Sequence, residues 1–347
     1  MISATRSVPP VLTRPGSRHE RNVTRCCPSP VRTRAPRGGP VVTAQTTPAP
    51  SARGARVARW RANGALTGWL MFLPTTVPLL AFTIYPMVSA GWLSFTNSNG
   101  VVGKFVGTAN YSSVLNDGMF WTAMWNTVYM GVGSLVLSVP LSLLAATVIN
   151  SLPRCQSLFK SIFFAPNVTS AISVSIAFLY VFYPTDGGWV NSFLGLFGVE
   201  PLKFFADPAL ARLGVVVMST WHGIGFLILI WIAGLQNVSP ELHEAAACDG
   251  AGTIRRWWHV TVPGLRPVIF FVIVTQCIAS FKRFADVYQI GGSDGQPGGV
   301  LTTLMVYIYR TGFNTFEFGK ASAASFIVFV AMVIVTAVNF RIFREKA

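Results

Sequence analysis

Six apolar runs, at about 66–95, 122–149, 159–183, 211–235, 266–285 and 321–342, alternate with short polar stretches along the chain. Each reaches the roughly 20 residues that a helix needs to cross a bilayer core. The pattern predicts an all-α membrane fold of six transmembrane helices. Pro74, Pro78, Pro86, Pro140 and Pro166 fall inside these runs. They do not veto helices, because neighbouring helices in lipid can satisfy the carbonyls that a proline frees. Small residues cluster at Ser170, Ala171, Ser173, Ser175 and Ala177, and again at Ala321, Ser322, Ala323, Ala324 and Ser325. Close helix contacts favour them, within one chain or between subunits. Trp69, Trp92, Trp121, Trp125 and Trp189 lie near predicted span ends, where an aromatic belt would anchor them.

Composition agrees with the pattern. Of 347 residues, 52% are hydrophobic and only 11% charged, and mean hydropathy is +0.51. Those values exclude an ordinary soluble domain. The net charge of +15 is uneven, since residues 1–65 carry twelve arginines, no lysine and one acid, Glu20. Such a segment buries too little apolar surface to fold. Residues 1–60 are therefore expected to be a disordered Arg/Pro-rich cytoplasmic tail, and 61–347 the membrane domain. The tail is poor in the aromatic residues that stack on bases, so no nucleic-acid partner is expected, and it has no apolar core of a cleaved signal.

The loops predict an orientation. Arg154 and Lys160 separate runs two and three, Arg255, Arg256 and Arg266 separate four and five, and Arg341, Arg344 and Lys346 follow run six. Acids mark the alternate loops: Asp117, then Asp186, Glu200 and Asp207, then Asp286, Asp294 and Glu317. Excess Lys and Arg marks the cytoplasmic side. A multi-pass plasma-membrane protein is expected, with both termini and the 236–265 loop inside and membrane lipids around the spans.

No driving force is legible within the chain. An ion-coupled carrier needs ionisable groups inside the membrane, yet the centres of the first four runs and of the sixth hold no Asp, Glu, Lys or Arg. His222 is a lone candidate near a span start, where a packed, hydrogen-bonded role is the simpler reading. A phosphate-cradling Gly-x-x-x-x-Gly-Lys-Ser/Thr run is also missing, because Gly103-Lys104 and Gly319-Lys320 lack the upstream glycine and the following hydroxyl. The five cysteines, Cys26, Cys27, Cys155, Cys248 and Cys277, imply no disulfide framework, and the adjacent pair without His or Asp makes a poor metal site. No enzymatic activity, metal or cofactor is expected.

The loop between runs four and five is the most informative segment. Ser239-Pro240 starts a helix, Glu241 and Glu244 suit its positive end, and Ala245, Ala246 and Ala247 keep it thin. Gly250 and Gly252 allow a turn before the basic, aromatic stretch from Arg255 to His259. A slim helix of that kind slides into a groove on a partner where larger side chains would clash.

Glu244-Ala245-Ala246, three residues, Gly250, nine residues, then Val260-x-Val262-Pro263 resembles the "EAA" loop of binding-protein-dependent ABC importer permeases. Val stands for the usual Ile and Leu, and Cys248 for an aliphatic residue. Ile84-Tyr85-Pro86, Ser94-Phe95-Thr96, Trp125-Asn126-Thr127, Gly234-Leu235-Gln236 and Tyr307-Ile308-Tyr309-Arg310 are similar to the carbohydrate-uptake branch of that family, as are the glycines of 291–299. The resemblance covers roughly 66–345. It implies a type I importer subunit that pairs with a second permease, two ATP-binding subunits and an extracytoplasmic solute-binding protein. Glu244, Ala245, Ala246, Gly250 and Pro263 would then be coupling positions, and the solute a sugar or polyol. The competing expectation is a stand-alone secondary carrier for a small polar solute.

Pathway residues are less legible. Gln276 and Gln289 are candidates by chemistry alone. Lys282 and Arg283 depart from the family's uncharged pattern, and a rise of about 1.5 Å per residue from Pro267 puts Lys282 in the outer third of the core. Either they snorkel outward with Asp286 as counter-ion, or they line the pathway and favour an acidic or phosphorylated solute.

Overall fold

The computed structural model describes residues 65–100 and 103–344, and the Arg-rich 1–60 segment lies outside them. The chain divides into two units, Met1–Gly68 and Trp69–Ala347. Of the first, only residues 65–68 are described, as the start of a helix.

That helix, α1 (Ala65–Leu79), passes through a π-helical turn at Leu80–Ile84 into α2 (Tyr85–Leu93). Together they make a span that buries none of its apolar window among the described residues. Such a surface is stable only with lipid or another protein around it. A short antiparallel hairpin follows, β1 (Thr96–Ser98) with β2 (Gly103–Phe105), pairing Thr96 with Phe105 and Ser98 with Gly103. The order then runs α3 (Ala109–Leu115), α4 (Gly118–Ser151), α5 (Gln156–Val168), α6 (Ala171–Val181), α7 (Trp189–Gly195) and α8 (Pro208–Gln236). After them come α9 (Pro240–Cys248), α10 (Thr253–Arg256), α11 (Val262–Gly264), α12 (Arg266–Phe281), α13 (Ala285–Gly291), α14 (Leu304–Tyr309) and α15 (Phe318–Arg344).

The described residues hold five helical stretches long and apolar enough to cross a membrane, and α5 with α6 makes a sixth if the bent pair is one crossing. The bend is 96°. Hydropathy over 159–183 is uniform and predicts one straight span, but local geometry breaks it. Pro166 lies in the last turn of α5, and both the Thr169 N–H and the Thr169 hydroxyl close on its carbonyl. Ser170 is then extended, so α6 starts afresh in a new direction.

The most extensive packing joins α4 to α8, with α5 laid on α8 and α12 on α4. Asp117 and Asp207 start α4 and α8 by accepting the N–H groups of Met119 (2.9 Å) and Ala209 (2.7 Å). Among the described residues the apolar interior forms three clusters instead of one core. One gathers Leu143, Ala146, Ile228, Trp231 and Leu265, a second Phe120, Ala123, Leu304 and Tyr307, and a third Met130, Val215, Val216 and Val287.

Asp117 ties the start of α4 to α14 and α15. Its Oδ2 accepts from Lys320 Nζ and from the Tyr307 hydroxyl, both at 2.8 Å. Burial alone would push this carboxyl up, but the hydrogen bonds from Lys320, Tyr307 and Met119 N–H, with the Lys320 charge, hold it below its ordinary value. Burial, reinforced by the Asp117 carboxylate, pushes the Tyr307 phenol far above its usual range. A depressed carboxyl contributes stability above its unfolded pKa and loses it as pH falls through the folded one. Asp117→Asn is therefore expected to destabilise the protein by about 1–3 kcal/mol at neutral pH. The gap from wild type should close as pH drops below about 4. Thermal unfolding in detergent across that range checks it; a gap independent of pH would contradict the ion-pair assignment.

Candidate functional site

Two features stand out from packing: an exposed loop between α8 and α12, and a polar cavity between the long helices.

In the loop, Ser239 occupies the N-cap of α9 without a side-chain bond, Pro240 sits at the first helical position, and Glu241 lies in the first turn. No residue of α9 is buried. Its end is a Schellman motif. The Ala251 N–H bonds the Ala246 carbonyl at 2.9 Å and the Gly250 N–H bonds that of Ala247 at 3.0 Å. Gly250 holds a φ of 76°, a left-handed conformation that costs other residues roughly 1–2 kcal/mol. The chain then re-enters through α10, a π turn at Trp257–Thr261, and α11 with Pro263 near its start.

The tip of this loop is bare and its base is fastened. Leu242, Ile254 and Trp258 are 56%, 78% and 59% exposed. At the base, Trp257 Nε1 donates to Thr147 Oγ1 on α4 at 3.2 Å. Leu265, fully buried, packs with Trp231 and Ile228 of α8. Glu244, Ala245, Ala246 and Gly250 all ride on the projecting part, whereas Pro263 belongs to the base.

A cavity of about 310 Å³ lies where the long helices change from apolar to polar. On α4, Ser134 and Ser138 follow Met130 and precede Leu143; on α8, Ser219 and Thr220 stand between Val216 and Ile224; on α12, Gln276 and Ser280 follow Val272. The cavity therefore occupies the gap between two apolar clusters. Its walls are hydrogen-bonded across helices: Ser134 Oγ with Ser219 Oγ at 3.0 Å, and Gln276 Nε2 to Ser138 Oγ at 3.2 Å. One turn further along α4, Ser142 Oγ accepts from Trp231 Nε1 at 2.9 Å. The α5–α6 bend contributes Ala171 and Val174 to the wall. His222, also on the wall, donates Nε2 to the Thr169 carbonyl at 3.1 Å and so holds the bend against α8.

The two neighbouring cations part company at the break after α12. Lys282 caps that helix and is exposed, outside the cavity lining. Arg283 lines the cavity, with Nη1 3.2 Å from Asp286 Oδ2. Of the candidate pathway residues, Gln276 and Arg283 thus share one cavity. Lys282 does not join them, and Gln289 lies on a separate aromatic pocket with Tyr180, Phe182 and Phe205. Sequence reasoning missed Ser134, Ser138, Ser219 and Thr220. The signal was there as serines four apart, at 134, 138 and 142, all on one face of an otherwise apolar helix.

The sequence pattern of the family described as "Binding-protein-dependent transport system inner membrane component" matches residues 138–345. The arabinooligosaccharides transport system permease protein of Bacillus subtilis (strain 168) is 32% identical over 87% of this chain and 97% of its own length. The lactose transport system permease protein of Rhizobium radiobacter is 30% identical over 81% and 95%. In the crystal structure of a bacterial ABC transporter involved in the import of the acidic polysaccharide alginate, one chain superposes with a TM-score of 0.72 at 22% identity, covering 84% of this chain and 99% of that one.

Proposed function

The chain belongs to the family of binding-protein-dependent transport system inner membrane components, and from that premise we propose that it is a permease subunit of an ATP-driven importer of sugars or related polyols. It forms the translocation pathway with a second permease in the plasma membrane. Two ATP-binding subunits grip the α9 loop from the cytoplasm, and an extracytoplasmic solute-binding protein delivers the solute. Both termini lie in the cytoplasm.

One observation carries the reading. The loop that projects bare from the surface is fastened at its base to the same two helices, α4 and α8, that wall the polar cavity. A push on α9 therefore reaches the cavity through the turn at Gly250 and the base of the loop, by a hydrogen bond and a buried leucine. Packed interfaces pass from one discrete arrangement to another and do not deform smoothly. That property suits a device that exposes a site first to one side of the membrane and then to the other. The serines, threonine and glutamine of the cavity offer the hydrogen bonds that hydroxyl-rich solutes need once water is left behind.

Reconstitution tests this. The chain alone in vesicles is expected to accumulate no sugar uphill. With the second permease, the ATPases and the binding protein, uptake should follow ATP and survive an uncoupler. Uptake that persists without ATP and collapses with the uncoupler would establish the carrier reading instead.

A further inference from the structure

The titratable groups on the cavity wall are His222, Arg283 and Asp286. Arg283 and Asp286 are bound to each other, and both are held from outside the pair. Asp286 Oδ2 accepts from Arg283 Nη1 at 3.2 Å, while Oδ1 accepts the Val287 N–H at 2.9 Å. Arg283 Nη2 reaches Ser134 Oγ at 3.4 Å, and its carbonyl accepts from the Thr303 hydroxyl at 2.8 Å. The two side chains are only 12% and 16% exposed. Water screens poorly there, so the carboxylate cancels most of the field that the guanidinium would send into the cavity. Lys282, which would have left a net positive charge, lies outside the lining. Apart from this pair and His222, what faces a solute is a set of uncharged hydrogen-bonding groups, Ser134, Ser138, Ser219 and Gln276 among them.

We infer that Asp286 is a specificity-determining residue: by masking Arg283 it makes the cavity take an uncharged polyhydroxyl solute and turn away a carboxylated one. The inference rests on the reading of this cavity as the solute pathway. One relative is described with arabinooligosaccharides and the structural neighbour with an acidic polysaccharide. An acidic solute would have to lie beside Asp286 or displace it from Arg283, and like charges in a poorly screened site repel strongly. A neutral sugar meets neither obstacle. The guanidinium has five N–H donors, so it can still bond sugar oxygens while it holds its carboxylate.

The binding protein selects solutes upstream, so the test must read the cavity directly. Ala279, on the cavity wall, is replaced by cysteine in a chain whose five native cysteines are changed to alanine. The assembled complex with the second permease and ATPases, without binding protein, is treated with a maleimide in the presence of maltotriose or trigalacturonate. With Asp286 present, maltotriose should slow labelling, and trigalacturonate should need at least about tenfold more to do so. In Asp286→Asn the acid should protect at concentrations at least about tenfold lower than before. In Arg283→Gln/Asp286→Asn, which leaves neither charge unpaired, that gain should disappear. Protection by trigalacturonate as good as by maltotriose with the pair intact would overturn the selectivity and leave the pathway reading standing. Labelling that no saccharide alters in any variant would overturn both.

Discussion

Replacing Gly225 with leucine is expected to abolish assembly of this permease. Gly225 lies on α8 where α5 crosses it, and a Cβ there would press into the Phe163 carbonyl oxygen, with the carbonyl carbon at 2.5 Å and Phe164 Cα at 2.7 Å. All three obstacles are backbone atoms, so no side chain can rotate aside. Either α5 lifts from α8 or α8 shifts against α4, its most extensive partner. Overpacking of this kind costs about 1–3 kcal/mol even where side chains can yield, and here the backbone must. Three residues away, the bond from His222 to Thr169 that holds the α5–α6 bend would open as well. Gly225→Leu should therefore fail to co-purify with the ATPases, and Gly225→Ala should do so with a lowered unfolding temperature. Gly223 on the same helix, with nothing within 4 Å of its Cβ position, supplies the control, since Gly223→Ala should unfold like wild type. Normal recovery and unfolding of Gly225→Leu would mean that α5 does not rest on α8 as described.

Reversing the charge at Glu244 should do the opposite: leave the fold intact and remove transport. Glu244 is exposed on α9, and no residue of that helix is buried within the chain, so Glu244→Lys has nothing to disrupt in the isolated subunit. Its effect falls on whatever α9 enters. Each 1.4 kcal/mol lost from docking is about a tenfold loss of affinity, and a misplaced charge at an interface costs several kcal/mol. Uptake should fall at least about a hundredfold with unchanged thermal unfolding and weakened ATPase co-purification. Gly250→Val should give a related result by another route, because a β-branched residue strains the left-handed φ of 76°. The Schellman bonds then loosen and α9 points elsewhere. Undiminished uptake and co-purification in both variants would remove the coupling role from this loop.

Much of this architecture could be read along the chain. The six apolar runs reappear as helical stretches within a few residues of the expected bounds, though the third is a sharply bent pair. The alanine-rich helix between runs four and five is present, closed by the glycine anticipated for its turn. Lys282 and Arg283 resisted. The spacing along a continuous helix put Lys282 in the outer third of the core, but the helix ends at Phe281 and restarts at Ala285. In the irregular residues between, adjacent side chains diverge. Lys282 is exposed outside the cavity lining, while Arg283 lines the cavity and pairs with Asp286. The cavity was harder still, because each helix gives it only two or three small polar residues that look like packing positions when seen alone.

Lipid selects on local hydropathy, and a helix that satisfies its own backbone needs no distant partner. For that reason the number of apolar runs, the polar loop between the fourth and fifth, and the asymmetry of basic residues were all determined by contiguous residues. Cavities and charge cancellation are different in kind. Ser134 and Arg283 meet across 149 residues of chain, and Trp257 meets Thr147 across 110. No periodicity within one helix encodes which face of another it will find. Only the crossing of α4, α8 and α12, and the bend between α5 and α6, decided where the polar residues would gather and which of two neighbouring cations would stand among them.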